Sequence, residues 1–167
     1  MSHTILISVG SNIDRAYYTQ RALDCLKAEF EDVSHSSVYE SESVGFDGSA
    51  FYNYVVKASS DLSIAQVCLI LKEIEKQNGR VSSEKKFSSR TLDLDLLTYD
   101  DTVCNSPVVL PREEIEYNAF VLWPLAELVP EDVHPVTGVN YATMWERFDR
   151  TSQCLQPINF AWSNTDE

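Results

Sequence analysis

Basic side chains are scarce in this 167-residue sequence: 13 Lys and Arg stand against 26 Asp and Glu, for a net charge of −13. Such a surface opposes phosphate backbones and anionic lipids, which argues against nucleic acid or a membrane as partner and favours a small molecule. Long apolar runs are missing too. No stretch approaches the roughly 18 apolar residues of a spanning helix. The start of the chain offers only Ile5-Leu6-Ile7, without a basic lead-in. Neither a membrane span nor a secretory signal is therefore expected, and the expected location is cytoplasmic. Cys25, Cys68, Cys104 and Cys154 are far apart, form no C-x-x-C pair and accompany only 3 His. That argues against a zinc site and a disulfide framework and for free thiols. There is no internal repeat or linker. With 44% hydrophobic content, residues 1–160 are expected to form one domain, followed by a frayed tail over 161–167.

The few cations are not spread evenly. Lys72, Lys76, Arg80, Lys85, Lys86 and Arg90 lead into the segment Arg90-Thr91-Leu92-Asp93-Leu94-Asp95-Leu96-Leu97. Read as a β-strand, this segment projects Asp93 and Asp95 from one face and Leu92, Leu94 and Leu96 from the other. Two carboxylates so close repel unless a cation or a proton lies between them, and Mg²⁺ accompanying a polyphosphate favours such oxygen ligands. Arg and Lys nearby suit the remaining phosphate charge. An acidic solvent face on an edge strand, preceded by a basic loop, is the competing reading of the same residues.

Hydrophobic periodicity places the other elements. Thr4 to Val9 reads as a strand ending in a Gly10-Ser11-Asn12 turn, and Tyr18, Ala22, Leu23 and Leu26 recur at helical spacing. Val33 to Glu40 and Phe51 to Ser59 alternate as two paired strands. Ser63 with Gln66 forms a capping-box pattern ahead of Ile64, Val67, Leu71 and Ile74, and Asn78-Gly79 stops that helix. After the Asp strand come a turn at Asp100-Asp101, a short strand near Val103 and a loop from Pro107 to Pro111. A helix from Ala119 to Leu128 follows, in which Pro124 is tolerable only near the start. Tyr141 to Phe148 reads as a last short helix. The order β-α-β-β-α-β predicts an α+β domain of split βαβ, ferredoxin-like type: an antiparallel sheet with helices on one side and the other side open to ligand. The Asp strand is expected inside that sheet.

These residues resemble a known family. Gly10-Ser11-Asn12, Ser36-Ser37-Val38-Tyr39, Gly45, Phe51-Tyr52-Asn53, Glu75, Gly79-Arg80, the Arg90 to Leu97 segment, Leu110-Pro111 and Phe120-Val121-Leu122-Trp123-Pro124-Leu125 together look like 6-hydroxymethyl-7,8-dihydropterin pyrophosphokinase. The order and spacing hold over about residues 4 to 130.

The resemblance implies transfer of diphosphate from ATP to the hydroxymethyl group of a reduced pterin in folate biosynthesis, with two Mg²⁺ ions held by Asp93 and Asp95. It implies Arg80 and Arg90 as phosphate-binding catalytic residues, aided at the nucleotide by Lys85, Lys86, Leu96 and Arg112, the last standing where the family has histidine. It implies Phe51 and Phe120 as the walls of a pterin slot, Asn53 at the ring edge, and backbone groups of Ser43, Val44 and Gly45 reading the rest. ATP and the pterin are the expected partners of a monomer or weak homodimer. Ser82, Asn118 and Glu42 depart from the family pattern and support an alternative, a weakened relative that keeps the pocket as a pterin or nucleotide binding module. The polar segment from Val81 to Ser89 is expected to act as a lid.

Overall fold

The computed structural model describes residues 2–41, 50–79, 92–150 and 155–163. The elements are β1 (His3–Ser11), α1 (Arg15–Glu29), β2 (Glu31–His35), β3 (Val38–Ser41), β4 (Phe51–Ser60), α2 (Ile64–Gln77), β5 (Asp93–Tyr99), α3 (Glu114–Tyr117), α4 (Ala119–Leu128), α5 (Tyr141–Arg147) and β6 (Leu155–Ile158). One antiparallel sheet runs β5-β1-β4-β3-β6, with β2 beside the far half of β4. The α+β, split βαβ expectation holds. The lid segment lies outside the described residues.

Several details differ from the sequence reading for identifiable reasons. The predicted strand from Val33 to Glu40 is broken into β2 and β3 at Ser36. There the Ser36 N–H donates to the carbonyl of Val55 at 2.9 Å while the Ser36 hydroxyl accepts from the Val55 N–H at 3.0 Å. A side chain thus takes a ladder position. Gly10 and Ser11 belong to β1, pairing with Asn53 and Tyr52, so the turn begins only at Asn12. Near Val103 there is an isolated bridge between Cys104 and Leu110 instead of a strand. Pro124 lies in the middle of α4, where it has no N–H to give the carbonyl of Phe120.

β5 is an edge strand among the described residues, pairing only with β1, not an inner strand as expected. Each helical crossover of a split βαβ unit skips one strand position, so β1 and β4 take the centre and the last strand of the unit goes outside. The helices are not confined to one side either. Ile5, Ile7, Val9, Leu92, Leu94 and Leu96 pack with Ala22, Leu23 and Leu26 of α1 and Val67, Leu71 and Ile74 of α2. On the reverse face Leu6, Val55 and Leu97 pack with Val121, Leu122 and Leu125 of α4 and Tyr141 of α5. In the described part of the tail, Trp162 sits 4.7 Å from His35 and 4.5 Å from Phe160, ring to ring, and the Ser163 N–H donates to Gln20 Oε1 at 2.6 Å. Phe160 and Trp162 are half-buried there against the first core cluster.

Candidate active site

Alternation in β5 does what its sequence requires. Leu94 and Leu96 enter the core between sheet and α1/α2, and Asp93 and Asp95 emerge half-buried on the opposite face, the one carrying α4. Leu96, 2% exposed in the first core cluster, turns its side chain away from that face, which leaves only its backbone for any nucleotide contact. The register with β1 sets the carboxylates: Gly10 is opposite Asp93 and Ser8 is opposite Asp95. On the other flank of β1, Gly10 is opposite Asn53 and Ser8 opposite Val55. Asn53, Gly10 and Asp93 therefore form one row across three strands, with about 10 Å between its outer members at the usual strand spacing.

Gly10 in that row has a packing reason. A Cβ there would come 3.0 Å from Asn53 Oδ1 and 3.7 Å from Phe51 Cδ1, so both side chains lean over the bare backbone. Asn53 is fixed by donating from Nδ2 to Ser41 Oγ at 2.8 Å, which leaves Oδ1 above Gly10. Phe51 and Phe120 are both only half-buried, unlike core aromatics, and Phe120 packs against the cluster on this same side of the sheet. Glycine inside a strand pattern signals close approach of other groups. Taking Gly10 as a turn residue missed that signal.

The carboxylates sit in an acidic neighbourhood. Burial, then Asp93, push the Asp95 carboxyl up to about 7, with Arg112 opposing and Glu114 and Glu75 adding to the rise. Arg112 Nη2 lies 3.2 Å from Asp95 Oδ1 and its Nε donates to Glu114 Oε1 at 2.6 Å. Glu114 carried no expectation, since its relevance comes only from the fold. Glu75, 9% exposed on α2, accepts the Leu94 N–H through Oε2 at 2.7 Å and so ties the helix to the strand between the two aspartates. Glu75→Ala is expected to leave that N–H unsatisfied and to lower stability by about 2 kcal/mol, read by urea unfolding; an unchanged midpoint would show that the carboxylate is dispensable. Arg80, Lys85, Lys86, Arg90, Ser43, Val44 and Gly45 lie outside the described residues.

The sequence profile described as 7,8-dihydro-6-hydroxymethylpterin-pyrophosphokinase matches residues 6–130. The 2-amino-4-hydroxy-6-hydroxymethyldihydropteridine pyrophosphokinase of Aquifex aeolicus is 34% identical over 136 residues, covering 80% of this chain and 84% of that protein. The chain belongs to this pyrophosphokinase family. The Synechocystis pyrophosphokinase is 32% identical over 154 residues, covering 90% and 78%. The Arabidopsis thaliana folate synthesis bifunctional protein is 33% identical over 134 residues, covering 77% of this chain but 28% of its own length. A crystal structure of Plasmodium falciparum HPPK-DHPS superposes with a TM-score of 0.73 at 11% identity, covering 88% of this chain and 45% of that one, which bears on fold alone. Family members are diphosphotransferases of folate biosynthesis, ATP-dependent kinases of a kind that generally uses Mg²⁺. Among the described residues no helix is long and apolar enough to cross a membrane.

Proposed function

We propose that this chain transfers the β,γ-diphosphate of ATP to the hydroxymethyl oxygen of 6-hydroxymethyl-7,8-dihydropterin. The pterin oxygen forms a bond to the β-phosphorus, the bond from that phosphorus to the α-bridging oxygen breaks, AMP leaves and the hydroxyl proton is released. The observation that carries the reading is the row Asn53–Gly10–Asp93. A flat ring laid over Gly10, with its edge on Asn53, directs a substituent towards the carboxylates. Half-buried Phe51 and Phe120 on this face suit the walls of such a slot, and by sequence pattern alone Ser43, Val44 and Gly45 are assigned to the rest of the ring edge.

Asp93 and Asp95 fit a divalent cation that arrives with a nucleotide. They supply two hard oxygen donors, no third His, Cys, Asp or Glu gathers with them among the described residues, and burial together with the neighbouring Asp93 raises the Asp95 carboxyl, a cost that a bound cation would relieve. Phosphate oxygens and water would complete the shell, as suits Mg²⁺. The bound ions, two by family analogy, supply charge neutralisation at the transferred group. The chain's own residues hold the pterin oxygen in line and exclude water, with Arg112, and by sequence pattern Arg80, Arg90, Lys85 and Lys86, neutralising the phosphates.

The test is AMP formation from ATP, Mg²⁺ and the pterin; AMP release that does not depend on the pterin, or none at all, overturns the proposal. Phe120→Ala is expected to weaken pterin binding by about 1–3 kcal/mol, the scale of a ring stacked on an aromatic side chain. Equal affinities in calorimetry would assign Phe120 to packing only.

A further inference from the structure

We propose that Arg112 is a resident counter-ion of Asp95, which it releases only when nucleotide phosphates draw it away, so that the carboxylate pair takes a divalent cation together with nucleotide and poorly without it. The inference rests on the metal-binding role proposed for Asp93 and Asp95, and adds a gate to it. Arg112 is held beside Asp95 by the backbone. Its N–H donates to the carbonyl of Leu97 at 2.9 Å, and Leu97 is the extra residue of β5 between the Leu6–Thr98 and Ile7–Leu96 pairs. A bulge of this kind turns a carbonyl out of the ladder, and here that carbonyl receives the segment that carries the arginine.

The guanidinium then has two anchors of unequal consequence. Nη2 meets Asp95 Oδ1 at 3.2 Å, and Nε meets Glu114 Oε1 at 2.6 Å. Nη2 thus takes up one oxygen, Oδ1, of a carboxylate proposed to bind the cation, and sets a positive charge against it. Leaving Asp95 does not strand the arginine, because Glu114 keeps its shorter contact. A planar fork also suits phosphate oxygens in the same position. Bare metal must displace a cation from Asp95 without compensation, whereas metal with nucleotide brings the anion that Arg112 can follow. The two ligands are coupled through one side chain.

The experiment measures Mn²⁺ binding to the full chain from the electron paramagnetic resonance signal of free hydrated Mn²⁺, with and without α,β-methylene ATP, whose bridge resists transfer. Arg112→Gln is expected to bind Mn²⁺ alone at least fivefold more tightly than wild type and to lose at least tenfold of the enhancement that the nucleotide analogue gives. Arg112→Lys, which keeps the charge without the fork, is expected to restore part of the coupling. Unchanged or weaker binding of Mn²⁺ alone by Arg112→Gln overturns the counter-ion role, as does a Lys variant that restores nothing. Asp95→Asn separates the two levels: if it binds Mn²⁺ with the analogue as wild type does, the metal-site reading and the gate fall together, whereas a silent Arg112→Gln beside a defective Asp95→Asn removes the gate alone.

Discussion

Asp95→Asn is expected to yield a protein that is more stable and almost inactive. Turnover should fall by about three orders of magnitude, the scale set by losing several kcal/mol of charge stabilisation at the transferred group. Stability without metal should instead rise by about 1–3 kcal/mol, because the Asp95 carboxyl is pushed up to about 7 by burial and by Asp93, against about 3.9 in an unfolded chain. The sign follows from proton counting. Between about pH 4 and pH 7 the folded protein binds more protons at this site than the unfolded one, so wild-type stability declines as pH rises through that window. The full penalty is felt above it. The asparagine variant escapes the penalty, so its advantage should be largest at pH 8 and close to nothing at pH 4. Urea unfolding in chelator at both pH values checks this, and an advantage that does not depend on pH would mean that Asp95 carries no such strain. Glu114 retains Arg112 in the variant, so a new buried unpaired cation does not cloud the comparison.

Gly10→Val is expected to abolish pterin binding, with affinity reduced by about a hundredfold or more, while leaving the sheet standing. The backbone of β1 is paired on both sides at this position, and a β-branched residue suits an extended strand. Its first carbon alone would crowd Asn53 Oδ1 at 3.0 Å, and its methyls would reach further towards Phe51. Asn53 would have to leave Ser41 and the pterin ring proposed to lie above Gly10 would lose its seat. Gly10→Ala should show a smaller loss of the same kind. Calorimetric titration with the pterin, beside a thermal melt, separates the outcomes: wild-type affinity in the valine variant removes the slot from Gly10, and a collapsed melt assigns the glycine to folding.

The local part of this architecture was legible. Ser63 and Gln66 make the capping box that their spacing announced, with the Gln66 N–H donating to Ser63 Oγ at 3.2 Å and Gln66 Oε1 accepting from the Ser63 N–H at 2.9 Å, because caps depend on residues three apart and nothing else. The shared face of Asp93 and Asp95 followed for the same reason. Whatever depends on distant partners was hidden. The place of β5 at the edge is decided by what β1 accepts on its second side, which no window along the chain contains. β6 is not legible from sequence because Pro157 breaks the strand pattern, yet among the described residues it pairs only with β3 at the far edge of the sheet, where a missing N–H can face outward at little cost. Trp162 reads from sequence as a tail residue, whereas in the fold its ring lies against His35, Tyr54 and Phe160. At the candidate site the aspartates could be read from sequence, whereas Glu114 and the pairing of Asn53 with Ser41 needed the fold.

The edge position of β5 has a consequence for how this protein keeps company with itself. An open strand edge invites another strand, and a long apolar one seeds aggregation. Among the described residues β5 alternates leucines with two carboxylates, and beyond them the Leu97 carbonyl is already taken by the Arg112 N–H. A second copy adding itself along this edge would bring its own Asp93 and Asp95 alongside and meet like charges at strand spacing. The carboxylates proposed to hold a cation thereby also act as gatekeepers against self-association, and neutralising both of them should cost solubility as well as the proposed turnover.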